Sequence, residues 1–355
     1  MNSSTQASSV AIPSTLQGPV AKVRNLLPGT GLSAMVAMAA TLVSMLHGGP
    51  QFLYALFFGI SLHYLSDDPK TKPGIEFCAR GLLRFGVGLL GARITAGQII
   101  ALGWETALIV IAAVISTIAV ALLLGRMLGM SRAQTVLAGG AVAICGASAA
   151  LAISAVLPRE KDGDRFTLMV VVAVTLLSTI AMVVYPTLAQ LLGLSPEQAG
   201  LFLGGTIHDV AQVVGAGYTL SREAGDHATI VKLLRVAMLT VVVVTVAFAF
   251  SRQRHQAGAA HAQGRRLARQ PLVPWFLWMF VAMVVVNSIG MLAPAVQSGL
   301  NDASRACLVV AIAALGIKTS FSGLARLGWR PFMLLLVETV WMAALVLAII
   351  EFRAA

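Results

Sequence analysis

The chain has 355 residues, of which 58% are hydrophobic and only 11% are charged, and its formal net charge is +11. A soluble globular domain carries roughly 25% charged residues, so this composition excludes a soluble fold and indicates an integral membrane protein. The basic residues lie mostly in short loops and form no basic aromatic face, which excludes nucleic acid as a partner and leaves the lipid bilayer.

Apolar segments recur along the chain, and several approach the ~20 residues that a membrane-spanning helix needs. The fold class is therefore an all-α polytopic membrane protein with about 10–11 transmembrane segments. Residues 1–25, polar and rich in Ser, Thr and Ala, are predicted to be a flexible cytoplasmic tail, and residues 26–355 a single transmembrane domain. The predicted segments are 31–47, 51–66, 77–95, 103–125, 134–157, 165–192, 197–218, 229–251, 273–294, 303–319 and 331–352.

Loop charges predict the orientation in a bacterial inner membrane. Loop 251–272 contains five arginines and no acidic residue, so it is predicted to be cytoplasmic, and counting segments places the N-terminus on the same side. Loop 158–165, with three basic residues, disagrees if segment 134–157 crosses completely. It returns to the cytoplasm if 134–157 and 197–218 are both re-entrant. The sequence leaves re-entrant hairpins and broken crossing helices open.

Residues 86–104 and 311–329 predict an internal repeat. Leu90-Gly91, Arg93 and Leu102-Gly103-Trp104 recur as Leu315-Gly316, Lys318 and Leu327-Gly328-Trp329, all at an offset of 225 residues. In the predicted topology the two segments run in opposite directions, which indicates two inverted repeats. Such folds bind substrate near the membrane midplane at discontinuous helices.

The stretch 203–217 places polar side chains among glycines in an apolar surrounding. An ionisable residue in hydrocarbon is costly and marks an ion or substrate pathway by default, and irregular backbone survives there only where protein or water satisfies it. Asp209 is the first candidate for coupling, either by exchanging a proton or by staying ionised and coordinating Na⁺. Alternatively, Asp209 caps a half-helix and His208 donates to a backbone carbonyl. The candidates in this stretch are Gly204, Gly205, Thr206, His208, Asp209 and Gln212.

Two cations follow in the next predicted helix. Lys232 and Arg235 share one helical face, so they either point inward, where they neutralise an anion or pair with Asp209, or snorkel outward to lipid headgroups. Arg84 is a weaker candidate for an anion contact. Asn287 and Glu338 are further lone polar groups in long helices, predicted to tie helices together and to pair with an inward cation, respectively.

The stretch 138–150 consists almost entirely of small residues, which favours either close helix packing or a broken helix whose free N–H groups face an anion. Its candidates are Gly139, Gly140, Cys145, Gly146 and Ser148. The three cysteines, Cys78, Cys145 and Cys307, lack the spacing of a metal site or a disulfide framework, so no metal is predicted.

Four blocks, 86–93, 143–150, 204–217 and 231–236, together resemble the YeiH-type sulfate exporter family. That family is grouped with the bile acid, arsenite and riboflavin transporter superfamily. The resemblance implies about ten helices, two inverted five-helix halves, a pair of broken helices crossing at the centre and a small oxyanion as substrate. The pathway residues that it implies are Cys145, Gly146, Ser148, His208, Asp209, Gln212, Lys232 and Arg235.

The leading hypothesis is a secondary transporter, not an enzyme, that exports a small inorganic or sulfur-containing oxyanion such as sulfate or sulfite. It needs no cofactor beyond coupling H⁺ or Na⁺, and its partners are the anion, the bilayer and, as an open option, further copies in a homo-oligomer. A cation/proton antiporter, in which Asp209 binds the cation, is the alternative. A membrane-embedded enzyme using Cys145, His208 and Asp209 is less favoured because the two segments need not meet.

Overall fold

A computed structural model describes residues 14–47, 50–158, 163–250, 275–319 and 328–354, and within these ranges the chain is helical, without strands. In this described part of the chain, six helices are long and apolar enough to cross a membrane. The helices are α1 Ser14–His47, α2 Gln51–Ser61, α3 Lys72–Phe77, α4 Leu83–Leu90, α5 Ala96–Ala101, α6 Gly103–Met127, α7 Arg132–Ala143, α8 Ala147–Ser154, α9 Gly163–Leu191, α10 Pro196–Thr206, α11 Val210–Leu220, α12 Arg222–Ala249, α13 Trp275–Ser288, α14 Pro294–Lys318 and α15 Trp329–Ala354. The 3₁₀ turn His63–Leu65 follows α2, and the π-helical turn Cys78–Leu82 joins α3 to α4.

The predicted all-α polytopic class is confirmed, with changes at several helix ends. Helix α12 begins at Arg222, earlier than predicted, because the Ser221 side chain caps it by accepting from the Ala224 N–H. Helix α14 begins at Pro294, a residue suited to the first helical position. Helix α1 begins at Ser14, inside the predicted tail; residues 1–13 and loop 251–272 lie outside the described residues.

The long helix α12 defines two ends of the bundle. At its last turn, the Arg132 guanidinium lies 5.7 Å from the Phe250 ring centroid, so α7 begins at this Phe250 end. At its first turn, side-chain oxygen and nitrogen atoms of Glu197, Glu223 and His227 lie within 4.8 Å of one another, so α10 begins at the opposite, Arg222 end. Helices α7 and α10 therefore enter the bundle from opposite ends.

Helices α7 and α8 form a re-entrant hairpin from the Phe250 end, termed hairpin 1. Gly140 on α7 faces the side chain of Ile153 on α8; in one continuous helix these two residues would stand about 20 Å apart. The chain reverses at Gly146, whose φ of +62° is a conformation that glycine adopts at little cost. Helix α8 thus returns toward the end from which α7 came.

Helices α10 and α11 form a second re-entrant hairpin, hairpin 2, from the Arg222 end. Gly200 on α10 and Gly217 on α11 both pack against residues 224–228, in the first turns of α12. A broken helix crossing the bundle would place these two glycines at opposite ends. The crossing arrangement implied by the resemblance is therefore wrong, and segments 134–157 and 197–218 are hairpins.

Helix α9 connects the two hairpins by running the length of the bundle. Near its middle, Val174 faces Gly146 of hairpin 1, and further along, Met182 packs on Gly215 of hairpin 2. The chain consequently leaves hairpin 1 at the Phe250 end and enters hairpin 2 at the Arg222 end.

The repeat-related segments lie partly in α4 and α14, which run antiparallel. The Ser304 hydroxyl donates to the Gly86 carbonyl at 2.7 Å, while Lys318, at the other end of α14, lies near Glu76 and Arg80. Opposite directions agree with an inverted repeat. Residues 320–327 lie outside the described residues, so the inverted repeat stays a prediction.

Candidate functional site

The tips of the two hairpins meet inside the bundle. Hairpin 1 turns at residues 144–146 and hairpin 2 at residues 207–209. A Cβ atom on Gly146 would stand 3.4 Å from the Cβ of His208. The broken segments 134–157 and 197–218, far apart in the chain, thus form one site.

Lys232 joins the two tips from α12. Its side chain is fully buried, and its Nζ donates to the carbonyl oxygens of Ile144 at 2.7 Å and Ile207 at 2.9 Å. One acceptor belongs to each hairpin. Lys232 therefore points inward, as one of the two alternatives predicted, but its partners are backbone carbonyls.

Arg235, one turn further along α12, is also fully buried and binds both hairpins. Its guanidinium donates to the carbonyls of Val142 and Ala143 at 2.8–3.2 Å, and to those of Gly204 and Ile207 at 3.2 Å. The last carbonyls of a helix lack intrahelical partners and carry its negative end. Both cations therefore cap the C-terminal ends of α7 and α10.

The N-terminal ends of α8 and α11 lie at the same tips but remain accessible. Ser148 is exposed, and Ala147, Asp209 and Val210 are half-buried. The first N–H groups of a helix lack intrahelical acceptors and carry its positive end, which favours anions. The start of α8 therefore presents an uncapped positive end at the tips, where the two cations already neutralise the C-terminal carbonyls of α7 and α10.

Asp209 caps hairpin 2, as the structural alternative predicted. Its Oδ1 accepts from the Ala211 N–H at 2.8 Å, and its own N–H donates to the Ser178 hydroxyl at 3.0 Å. The charges of Lys232 and of half-buried Lys318 both act on the carboxylate. Lys318 was noticed only as part of the repeat, since its proximity to Asp209 depends on how α14 packs.

The other polar side chains of hairpin 2 bond to hydroxyls on neighbouring helices. The Gln212 amide donates to Thr179 on α9 at 2.8 Å, and Nε2 of His208 lies 3.0 Å from the Thr339 hydroxyl on α15. The Thr206 hydroxyl donates to the Phe202 carbonyl of its own helix. Sequence reasoning missed Ser178, Thr179 and Thr339 because hydroxyls in apolar helices commonly bond their own backbone.

The glycine pairs pack helices together away from the tips. Gly139 faces Ala121 on α6, Gly140 faces α8, Gly204 faces α12 and Gly205 faces Val346 on α15. Cys145, by contrast, is buried in the tip of hairpin 1. The glycines therefore set the positions of the hairpins, while residues 144–148 and 206–212 form the site.

Three weaker candidates lie apart from the tips or bond elsewhere. Arg84 is exposed on α4. Asn287 donates to the Ile94 carbonyl at 3.1 Å, tying α13 to the end of α4, as predicted. Glu338 is fully buried next to Thr339, and neither of its carboxyl oxygens has a hydrogen-bond partner among the described residues, so the predicted pairing with an inward cation is wrong.

One group among the described residues has metal-ligand geometry, Glu197 with Glu223 and His227. Both glutamates are exposed and the histidine is half-buried, at the Arg222 end rather than at the tips. The tip residues include Cys145, His208 and Asp209, but their ligand atoms do not form such a group among the described residues.

Comparison with known proteins places the chain among membrane proteins. The family model described as conserved hypothetical protein 698 matches residues 28–335. The UPF0324 membrane protein of Chlorobaculum tepidum is 46% identical, over 93% of this chain and 91% of its own length. The UPF0324 membrane protein TauZ of Paracoccus pantotrophus is also 46% identical, over 92% and 95%, and a UPF0324 membrane protein of Rhizobium meliloti is 44% identical, over 90% and 91%. No solved structure matches.

Proposed function

Since the chain belongs to the family of conserved hypothetical protein 698, whose relatives are UPF0324 membrane proteins, we propose that it is a secondary transporter for a small inorganic or sulfur-containing oxyanion. The proposed substrates include sulfate and sulfite. In this proposal the protein exports them and couples their movement to that of H⁺ or Na⁺. The wider grouping with bile acid, arsenite and riboflavin transporters stays a prediction.

The arrangement of charge at the hairpin tips carries this proposal. Lys232 and Arg235 neutralise the C-terminal carbonyls of α7 and α10, and Asp209 caps the N-terminal end of α11, so the positive field that remains for an anion comes from the N-terminal end of α8. Fixed donors and dipoles in a site of low dielectric stabilise an anion more strongly than they would in water. Ser148 adds a hydroxyl at the same position.

Asp209 is the proposed coupling group. It is the only carboxylate among the described tip residues 144–148 and 206–212, and Lys232 and Lys318 lie close enough to act on its charge. A carboxylate beside an incoming anion repels it, and protonation removes that repulsion. Proton binding to Asp209 and anion binding at the tips therefore support each other.

The cation/proton antiporter remains the second candidate, because an aspartate close to lysines, as Asp209 is, also suits a site that exchanges a cation for a proton. A bound Na⁺ takes oxygen ligands, and unwound carbonyls commonly supply them in transporters with broken helices. Here Lys232 and Arg235 already occupy the carbonyls of residues 142–144, 204 and 207. This occupancy favours the anion, and it favours H⁺ over Na⁺ as the coupling ion.

Enzymatic use of Cys145 needs a general base in hydrogen-bond reach. Nε2 of His208 instead pairs with Thr339, and Oδ1 of Asp209 accepts from Ala211. We therefore keep catalysis out of the proposal.

The test is flux of radiolabelled sulfate and sulfite in proteoliposomes under an imposed pH gradient, with wild type, Asp209→Asn and the control Asp67→Asn. Asp67 is an exposed aspartate that pairs with Lys72 at the surface. We expect gradient-dependent flux for wild type and the control, and loss of that dependence for Asp209→Asn. Flux of neither anion above empty liposomes would contradict the oxyanion assignment, and cation/proton exchange would then be measured.

A further inference from the structure

A cavity of about 720 Å³, here called the vestibule, lies at the Arg222 end of the bundle. Its walls come from the ends of α1, α4 and α11, the first turns of α2 and α12, and the first half of α14. Exposed residues such as Arg222, Ser298 and Arg305 line it. The vestibule is therefore a recess of the protein surface rather than an enclosed void.

An apolar layer separates the vestibule from the hairpin tips. Phe52 and Leu308 are buried and line the vestibule. Beyond them, Gly215 on α11 packs against Met182, Ile312 and Phe52. From Val210 at the tip to Tyr218 at the vestibule, α11 spans about 12 Å. The two positions are thus distinct sites joined by one helix.

The vestibule carries an organised set of charges. Nε of Arg93 pairs with Asp226 at 3.0 Å, the Tyr218 hydroxyl donates to the other oxygen of the same carboxylate at 2.5 Å, and the Arg93 guanidinium lies 5.3 Å from the Tyr218 ring centroid. This network holds the Arg93 side chain in place. A guanidinium held this way is well suited to bind the oxygen atoms of a carboxylate or of a similar acid group.

Two further arginines line the vestibule beside Arg93. Arg305 donates through Nε to the Gln51 side chain at 3.0 Å, and Arg222 is exposed. With Asp302 on the same wall and Asp226 behind Arg93, three arginines face two aspartates. These three positive and two negative side chains give the vestibule a net charge of +1, which suits a monovalent anion.

The size and the walls of the vestibule indicate an organic ligand. At about 30 Å³ per water in the liquid, 720 Å³ holds roughly two dozen waters, and it falls in the range of about 300–1,000 Å³ typical of small-molecule sites. Pro50, Phe52, Leu90 and Leu308 provide apolar surface. A bare tetrahedral oxyanion would leave most of this surface uncontacted.

We propose that the vestibule is a second binding site, for a small organic oxyanion with one negative charge, a carboxylate or sulfonate that carries an apolar body. In this proposal Arg222 and Arg305 bind the acid group and the apolar wall binds the remainder. The proposal rests on the proposed function in one respect, namely that the anion bound in the vestibule is also the transported anion. Binding in the vestibule itself can be measured without transport.

The test is calorimetric titration of the full chain in phosphatidylcholine nanodiscs with ethanesulfonate, propionate and sulfate. We expect at least one organic anion to bind, and the double variant Arg222→Gln/Arg305→Gln to weaken its binding at least tenfold while sulfate binding at the tips stays unchanged. The control Arg126→Gln removes an exposed arginine at the opposite end and should leave binding unchanged. No binding of either organic anion, or a double variant that binds them like wild type, would overturn the proposal.

If the double variant does not fold, the single variants Arg222→Gln and Arg305→Gln replace it, because the Arg222 side chain is exposed. An affinity that neither single variant changes would overturn the proposal as well.

The flux experiment separates the two proposals. Binding without flux of any of the anions contradicts the transport function alone, while flux without binding in nanodiscs contradicts the vestibule alone.

Discussion

At the residue scale, Lys232 and Arg235 determine what the hairpin tips can bind. Their spacing predicted one shared helical face, and both are fully buried. Their partners could not be predicted, because the carbonyls that accept from them lie 25–93 residues away in the chain. Those carbonyls are available to accept only because α7 and α10 end at the hairpin tips. The function of the two cations therefore depends on these helix ends.

Replacing Lys232 by methionine tests this dependence. Lys232→Met keeps an unbranched side chain but removes the Lys232 donor from the Ile144 carbonyl and one of the two donors from the Ile207 carbonyl. A buried acceptor without a partner costs about 1–3 kcal/mol, so we expect a clear fall in unfolding free energy in detergent. The control Lys72→Met removes an exposed lysine, paired with Asp67 at 3.7 Å, for which about 0–1 kcal/mol is expected. Equal stability of the two variants would contradict the capping role.

At the element scale, the sequence predicted that segments 134–157 and 197–218 are interrupted, and it offered re-entrant hairpins as one of two solutions. Composition could not choose between them, because α8 and α11 are equally apolar whether they continue or turn back. The choice depends on side-chain packing, such as Ile153 against Gly140 and His227 against Gly200. Hairpin 1 also returns the chain toward the Phe250 end, where α9 begins at Gly163; this is the re-entrant solution in which the loop charges agree.

Cysteine cross-linking tests hairpin 2 directly. In a background with Cys78, Cys145 and Cys307 replaced by alanine, Glu197→Cys/Glu223→Cys should cross-link with a short bifunctional maleimide, since side-chain atoms of the two glutamates lie within 4.8 Å. The control pair Glu197→Cys/Arg132→Cys joins opposite ends, across roughly 30 Å of hydrocarbon, and should not. Cross-linking of the control pair but not of the first would show that α10 and α11 cross the bundle.

At the scale of the whole molecule, each of the eleven predicted segments overlaps helices of the described residues, and the two segments whose crossing the sequence left open are re-entrant hairpins. The membrane orientation follows from loop charges alone, so the cytoplasmic Phe250 end, the bacterial inner membrane and the homo-oligomer stay predictions. In that orientation the vestibule faces away from the cytoplasm. The vestibule escaped sequence reasoning because its lining residues come from six helices between Ser44 and Leu308.

The two proposed sites share an arrangement that suits alternating access. The vestibule and the hairpin tips both present positive charge, and Phe52, Met182 and Ile312 pack between them around Gly215. An anion would pass from one site to the other only when this apolar layer opens. Helix α11 reaches both sites, so movement of hairpin 2 would couple them.

The most direct test of the central claim is the reactivity of a cysteine at Ser148, at the start of α8. In the background with Cys78, Cys145 and Cys307 replaced by alanine, Ser148→Cys is treated with N-ethylmaleimide in proteoliposomes, with and without saturating sulfate or ethanesulfonate. We expect that Ser148→Cys is modified, that modification stops flux, and that whichever anion is transported slows the modification. A modification rate that a transported anion leaves unchanged would contradict the claim that the anion binds at the hairpin tips.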